Sequence, residues 1–188
     1  LVSAGAAQDL ESDLTKEHLG AAIYNALAGK KVTTANLHAD HFSNRDVALM
    51  ANGARLQSYS FDKYKTEPPP GRLSTLFATV SGETAARREY SKMSAVTDGV
   101  FWARDLVNEP GNKLYPESYA DDICRRLSGF DGLTVDVKDV DALTEMGAGG
   151  ILAVGQGSVR PPRMVVMQWQ GGQPDEPPVA LVGKGITF

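Results

Sequence analysis

Cysteine is almost missing from this sequence. Cys124 stands alone among 188 residues, so no internal disulfide can form and a reducing, cytoplasmic location is expected. Histidine is scarce as well: His18, His38 and His41 all precede residue 42. A histidine-activated thiol is therefore not expected, and Cys124, set between Ile123 and Leu127 in a helical pattern, reads as a buried or half-buried side chain. No apolar run approaches the ~20 residues that span a bilayer, and residues 1–13 lack a basic start leading into an apolar stretch. A membrane partner and an export route are not expected. Basic clusters are missing too, because 19 Lys and Arg are scattered among 23 Asp and Glu for a formal charge of -4. Nothing offers a cationic face to a phosphate backbone, so a nucleic-acid partner is not expected.

What is present is the balance of a globular protein, with 42% hydrophobic and 22% charged residues. Residues 15–27 carry Leu19, Ile23 and Leu27 at helical spacing, with Thr15 as expected N-cap, Glu17 behind it and Gly29 as the stop. A strand is expected at 32–37 and a helix at 46–59 through Val47, Met50, Ala54 and Leu56. The prolines of 66–72 then demand a surface loop. After a strand at 73–80, residues 83–107 have Gly99 as their only interior glycine and predict one helix of ~37 Å at 1.5 Å per residue. Asn108-Glu109-Pro110-Gly111-Asn112 ends it. A second pattern follows: helix 116–127, strand 133–137, short helix 139–146, and strands 164–169 and 179–182. The last two are continuous apolar runs, as expected of strands covered on both faces of a mixed sheet. The predicted class is α/β: an amino-terminal α/β region (1–82), a linker helix (83–107), and the start of a mixed-sheet α/β region (108–188). Residues 1–5 read as the exit of a strand into a turn and 179–188 as a buried strand running onward, so the chain is expected to be cut from something longer.

Several motifs invite chemistry. His38-Ala39-Asp40-His41 has the residue types of a metal site but lacks a third or fourth ligand at suitable spacing, and reads as a solvated loop. Gly147-Ala148-Gly149-Gly150 and Gly155-Gln156-Gly157 fail the dinucleotide pattern, because Leu152 and Arg160 occupy the third-glycine positions. Val182-Gly183-Lys184-Gly185-Ile186-Thr187 fails the phosphate-loop pattern, lacking the upstream glycine and carrying Gly185 where Ser or Thr is required. What remains is a lysine at the end of a buried strand between two glycines. Such a lysine must reach water, pair with a carboxylate or give up its proton.

The run Val179-Ala180-Leu181-Val182-Gly183-Lys184-Gly185-Ile186-Thr187-Phe188 resembles the strand that opens the active site of the leucyl (cytosol) aminopeptidase family. Three further blocks agree in order. Gly53-Ala54-Arg55-Leu56 with Tyr59-Ser60-Phe61-Asp62-Lys63-Tyr64-Lys65 resembles the close of the family's amino-terminal domain. Ala103-Arg104-Asp105-Leu106-Val107-Asn108-Glu109-Pro110, with Asn112 and Pro116, resembles its junction into the catalytic domain, though Asn108, Pro110 and Asn112 also read simply as a helix end and turn. Gly155-Gln156-Gly157-Ser158 with Pro161-Pro162-Arg163 resembles the segment ahead of Lys184.

The resemblance implies a metal-dependent aminopeptidase that removes N-terminal amino acids from peptides with a free N-terminus. It implies two divalent metal ions, manganese or zinc with magnesium as a further choice, bridged by carboxylates and an attacking water. It gives Lys184 as one metal ligand, through a neutral amine because an ammonium has no lone pair. The remaining ligands, a second lysine and an arginine have their family places beyond Phe188, so no catalytic residue is expected within this chain, which should be inactive alone. A homohexamer is implied for the full-length protein. The competing reading is a noncatalytic α/β binding or assembly module, expected if these residues are the whole gene product.

Overall fold

The computed structural model describes residues 11–30, 32–67, 72–173 and 175–187. The expected turn at residues 1–5, the prolines at 68–70 and Phe188 lie outside them. The chain divides into two compact units, Leu1–Asn108 and Glu109–Phe188.

The first unit runs α1 (Asp13–Ala28), β1 (Thr34–His38), α2 (Asn44–Gln57), β2 (Thr75–Thr79) and α3 (Glu83–Asn108). Side-chain caps set the helix starts. The Ser12 hydroxyl accepts from the Thr15 amide at 3.1 Å, so the cap is Ser12 rather than Thr15, and Gly29 follows the last turn as expected. Ser43 and Asp46 form a reciprocal capping box with bonds of 3.2 and 3.3 Å, which moves the start of α2 ahead of the expected residue 46. β1 and β2 pair in parallel from Thr34 opposite Thr75 to His38 opposite Thr79, and α2 makes the crossover between them.

Two glycines decide how α1 meets α2. A Cβ on Gly20 would lie 1.8 Å from the Met50 carbonyl oxygen, and one on Gly53 would lie 1.9 Å from that of Glu17. The helices therefore touch backbone to backbone. Around that contact Val47, Ala48, Leu49, Met50 and Ala54 are buried, and two small cores form: Tyr24, Ala54 and Leu73, and Ala39, Val47 and Met50. A buried polar chain continues to α3. Thr97 donates to the Asn52 side-chain oxygen at 2.6 Å, and Asn52 donates to Glu17 at 3.0 Å. Arg55 reaches Ser94 and Asp98, both at 2.5 Å, and Tyr59 donates to Asp105 at 2.9 Å while its ring packs, tilted, against Phe101. With that support α3 runs 26 residues without a break, as its pattern predicts.

The second unit runs α4 (Pro116–Leu127), β3 (Leu133–Lys138), α5 (Val140–Glu145), α6 (Gly149–Gly155) and β4 (Met164–Trp169). β3 and β4 pair antiparallel, Leu133 opposite Trp169. Two expectations are corrected here, and one element is added. No strand forms at 179–182: Val179, Leu181 and Val182 are 89–96% exposed, because an apolar run becomes a strand only against a partner edge, and this sheet has two strands. β4 is not covered on both faces, since Met167 and Trp169 are exposed. α6 was not foreseen, for the flanking glycines outweighed Ile151-Leu152-Ala153-Val154 in the sequence pattern. Among the described residues each unit carries one two-stranded sheet, parallel in the first and antiparallel in the second. Among the described residues, the apolar side chains buried in this unit are Ala120, Ile123 and Leu143.

Gly53→Ala should lower stability by about 1–3 kcal/mol or more, because a methyl at that point meets rigid backbone. Chemical denaturation of the variant measures the loss, and an unchanged midpoint would contradict the contact. Asp62 generates a pH prediction. Hydrogen bonds from Lys65, then Ser60, with Arg72 alongside, hold its carboxyl at about 2 against an ordinary 3.8. A depressed carboxylate stabilises the fold fully above its ordinary value and loses that contribution as pH falls through the folded one. Asp62→Asn should therefore flatten the loss of thermal stability between pH 3.8 and 2; an unchanged acid limb would show that the cluster contributes nothing.

Candidate functional site

The first turn of α4 is where the second unit gathers its polar and aromatic contacts. Pro116 opens the helix with φ already set. The Ser118 hydroxyl accepts the Tyr115 amide at 3.0 Å and donates to the Lys113 carbonyl at 2.7 Å, tying the helix start to the turn before it. Tyr115 is the extended N-cap residue and Tyr119 lies in the first turn. The Arg160 guanidinium lies 3.7 Å from the Tyr115 ring centroid, and Arg163 reaches Glu117 at 3.7 Å. A Cβ on Gly155 would meet Pro162 at 2.6 Å, so the loop after α6 folds tightly back on its own helix. The segment after Gly183 comes to the same helix: a Cβ on Gly185 would lie 3.0 Å from Cε1 of Tyr119.

Lys184 itself is exposed, not held at the end of a buried strand, because that strand is not formed. No carboxylate among the described residues pairs with it. The ordinary explanation of a strand-end lysine, an ion pair, is thus not what is seen. Neither is a complete metal site, since no group of three His, Cys, Asp or Glu side chains converges among the described residues. Lys184 can offer one donor; the described residues do not supply the anionic ligands two divalent cations require.

The other candidates resolve plainly. His38, Asp40 and His41 are exposed and gain no third ligand. Cys124 is half-buried in α4, as expected. The Asn108 side-chain amide donates to the Arg104 carbonyl at 2.8 Å and to the Tyr59 hydroxyl at 3.2 Å, and the Pro110 carbonyl accepts from Lys113 and Leu114 at 2.8 and 2.9 Å; both are helix-end and turn chemistry. Gly147 adopts φ +68, a left-handed turn between α5 and α6 that glycine tolerates. A cavity of ≈ 510 Å³ lies beside α6, lined by Val140, Leu152, Ala153, Gln156 and Pro162 among others, but not by Lys184. Sequence reasoning missed Tyr115, Tyr119 and Arg160, whose only signal was the four-residue spacing of two aromatics.

Comparison with known proteins places these features in context. Residues 101–188 match the cytosol aminopeptidase family, catalytic domain, and residues 1–68 match its N-terminal domain. The chain is 44% identical over 166 residues to a probable cytosol aminopeptidase of Nitrobacter hamburgensis, covering 85% of this chain and 32% of that protein. It is 49% identical over 154 residues to one of Methylorubrum populi, covering 78% and 30%. It spans about a third of the length of the curated relatives it matches. Among solved structures it resembles the bottromycin maturation enzyme BotP in complex with Mn, with TM-score 0.69, 30% identity, and 83% of this chain and 33% of that chain covered. A tomato leucine aminopeptidase mutant shares the fold with TM-score 0.71 at 22% identity, covering 88% and 34%. No described helix is long and apolar enough to cross a membrane.

The contact between Arg160 and Tyr115 carries its own expectation. Arg160→Ala should raise amide exchange across residues 156–163 while costing about 1 kcal/mol or less of global stability, the scale of an exposed cation–aromatic pair. Unchanged exchange there would show that the loop is held by its prolines alone.

Proposed function

The chain belongs to the cytosol aminopeptidase family, and from that premise we propose that the whole protein is a metal-dependent aminopeptidase acting on peptides with a free N-terminus. What supports the reading is that both family domains match the chain, in order. Lys184 lies in the catalytic-domain match, sits between two glycines, and is exposed without a carboxylate partner among the described residues. Lys184 is proposed as one metal ligand, through its neutral amine. Two divalent ions, manganese or zinc, are proposed for the whole protein, with the manganese complex of BotP as the supporting parallel. A cytoplasmic homohexamer belongs to the same proposal and draws its support from the family alone.

Within the described residues the mechanism stops at one donor. Metal ions in such a centre polarise a carbonyl and acidify a water, and the groups that would hold them besides Lys184 are not among these residues. The chain's own contribution is therefore to present an amine, not to complete a site.

The test uses the full gene product and this 188-residue chain side by side. Lys184→Arg in the full product keeps the charge and offers no lone pair, so metal content by elemental analysis and turnover of aminoacyl substrates should fall together. Unchanged metal content would remove Lys184 from the ligand set. The isolated chain should show no turnover with added manganese or zinc, and robust turnover free of contaminating peptidase would mean that the catalytic groups lie within it.

A further inference from the structure

We infer that Tyr119 is a positioning residue for Lys184: its ring is the seat on which the Lys184–Gly185 backbone rests, and Gly185 is glycine because a side chain there would push that backbone off the ring. This rests on the reading of Lys184 as a metal ligand and adds a residue from a different element to it.

The argument begins with what Gly185 is not. Among the described residues the glycines with positive φ are Gly132 and Gly147, so no left-handed backbone calls for glycine at 185. Gly183 has nothing within 4 Å of a Cβ placed on it, whereas a Cβ on Gly185 meets Cε1 of Tyr119 at 3.0 Å and Cδ1 at 3.7 Å. The glycine on one side of Lys184 is thus free, and the one on the other side is in contact. Close approach of backbone to a neighbouring group is a standing reason for glycine.

The seat is well founded. Tyr119 lies in the first turn of α4, whose start is fixed by Pro116 and by the bonds of Ser118, and the next residue, Ala120, is buried. A ring carried by the first turn of a helix, meeting the backbone directly beside Lys184, can set the course of that backbone where the lysine leaves it. Residues that orient a metal ligand without touching the metal typically change affinity by roughly 10- to 100-fold when altered.

The experiment uses the full gene product and three substitutions, with Mn2+ as the titrant and amide exchange at residues 183–186 as a readout independent of activity. Tyr119→Phe keeps the ring and should match the parent in both. Tyr119→Ala, which removes the seat, and Gly185→Val, which overfills it, should each speed exchange and weaken Mn2+ binding by roughly 10-fold or more. Because both act on one contact, the double variant should lose less than the sum of the two single losses. Tyr119→Ala with parental exchange and affinity, or strictly additive losses, overturns the inference. Lys184→Arg serves as the separate arm. Were Mn2+ affinity indifferent to it while Tyr119→Ala still speeds exchange, the ligand reading would fail and the seat would stand.

Discussion

The first unit depends on one contact that has no side chains in it. Gly20 and Gly53 let the backbones of α1 and α2 meet at Met50 and Glu17, and with the helices that close, every later element finds its place from α2. Its Val47 and Met50 pack with Leu37 of β1 and Val80 just after β2, and its Asn52, Arg55 and the following Tyr59 hold α3. A wider crossing would move Asn52 away from either Glu17 or Thr97, and an unpaired buried amide costs about 1–3 kcal/mol. The glycine contact and the polar chain therefore fix the same distance twice, once by repulsion and once by hydrogen bonding.

Much of this was legible in the sequence, and the reason lies in local chemistry. α4 and β4 occupy the expected residues, and α3 ends one residue later than expected, because proline, apolar period and chain breaks act within a few residues of each other. The cap at Ser12 was missed by three positions since Thr15 also suits the role, and it does bond, as N3, to the Ser12 oxygens. The failures are non-local. Residues 179–182 have strand composition, yet pairing depends on an edge elsewhere in the fold, and α6 was hidden because glycine lowers helix propensity without forbidding it.

The site divides along the same line. Lys184 stood out because two glycines and an apolar approach bracket it, and the family blocks gave it a role. Its surroundings did not. Tyr119 lies 65 positions earlier by sequence number, and nothing in Tyr119-Ala120-Asp121 announces that a glycine will lie on the ring. Arg160 likewise reads as an ordinary surface cation until the Tyr115 ring is found beneath it.

The chain of Glu17, Asn52 and Thr97 has a consequence for how such a sequence can change over time. Asn52 is 5% exposed and Thr97 1%, and each is satisfied by its neighbour in the chain. Altering Asn52 strands both its partners, and altering Glu17 or Thr97 strands an Asn52 atom, whereas replacing all three with apolar groups of matching shape can be nearly neutral. The intermediate steps are worse than either end. Three positions on three helices are thereby bound to a common history: they persist together or are replaced nearly at once, and a lineage that has kept two of them has a strong reason to keep the third.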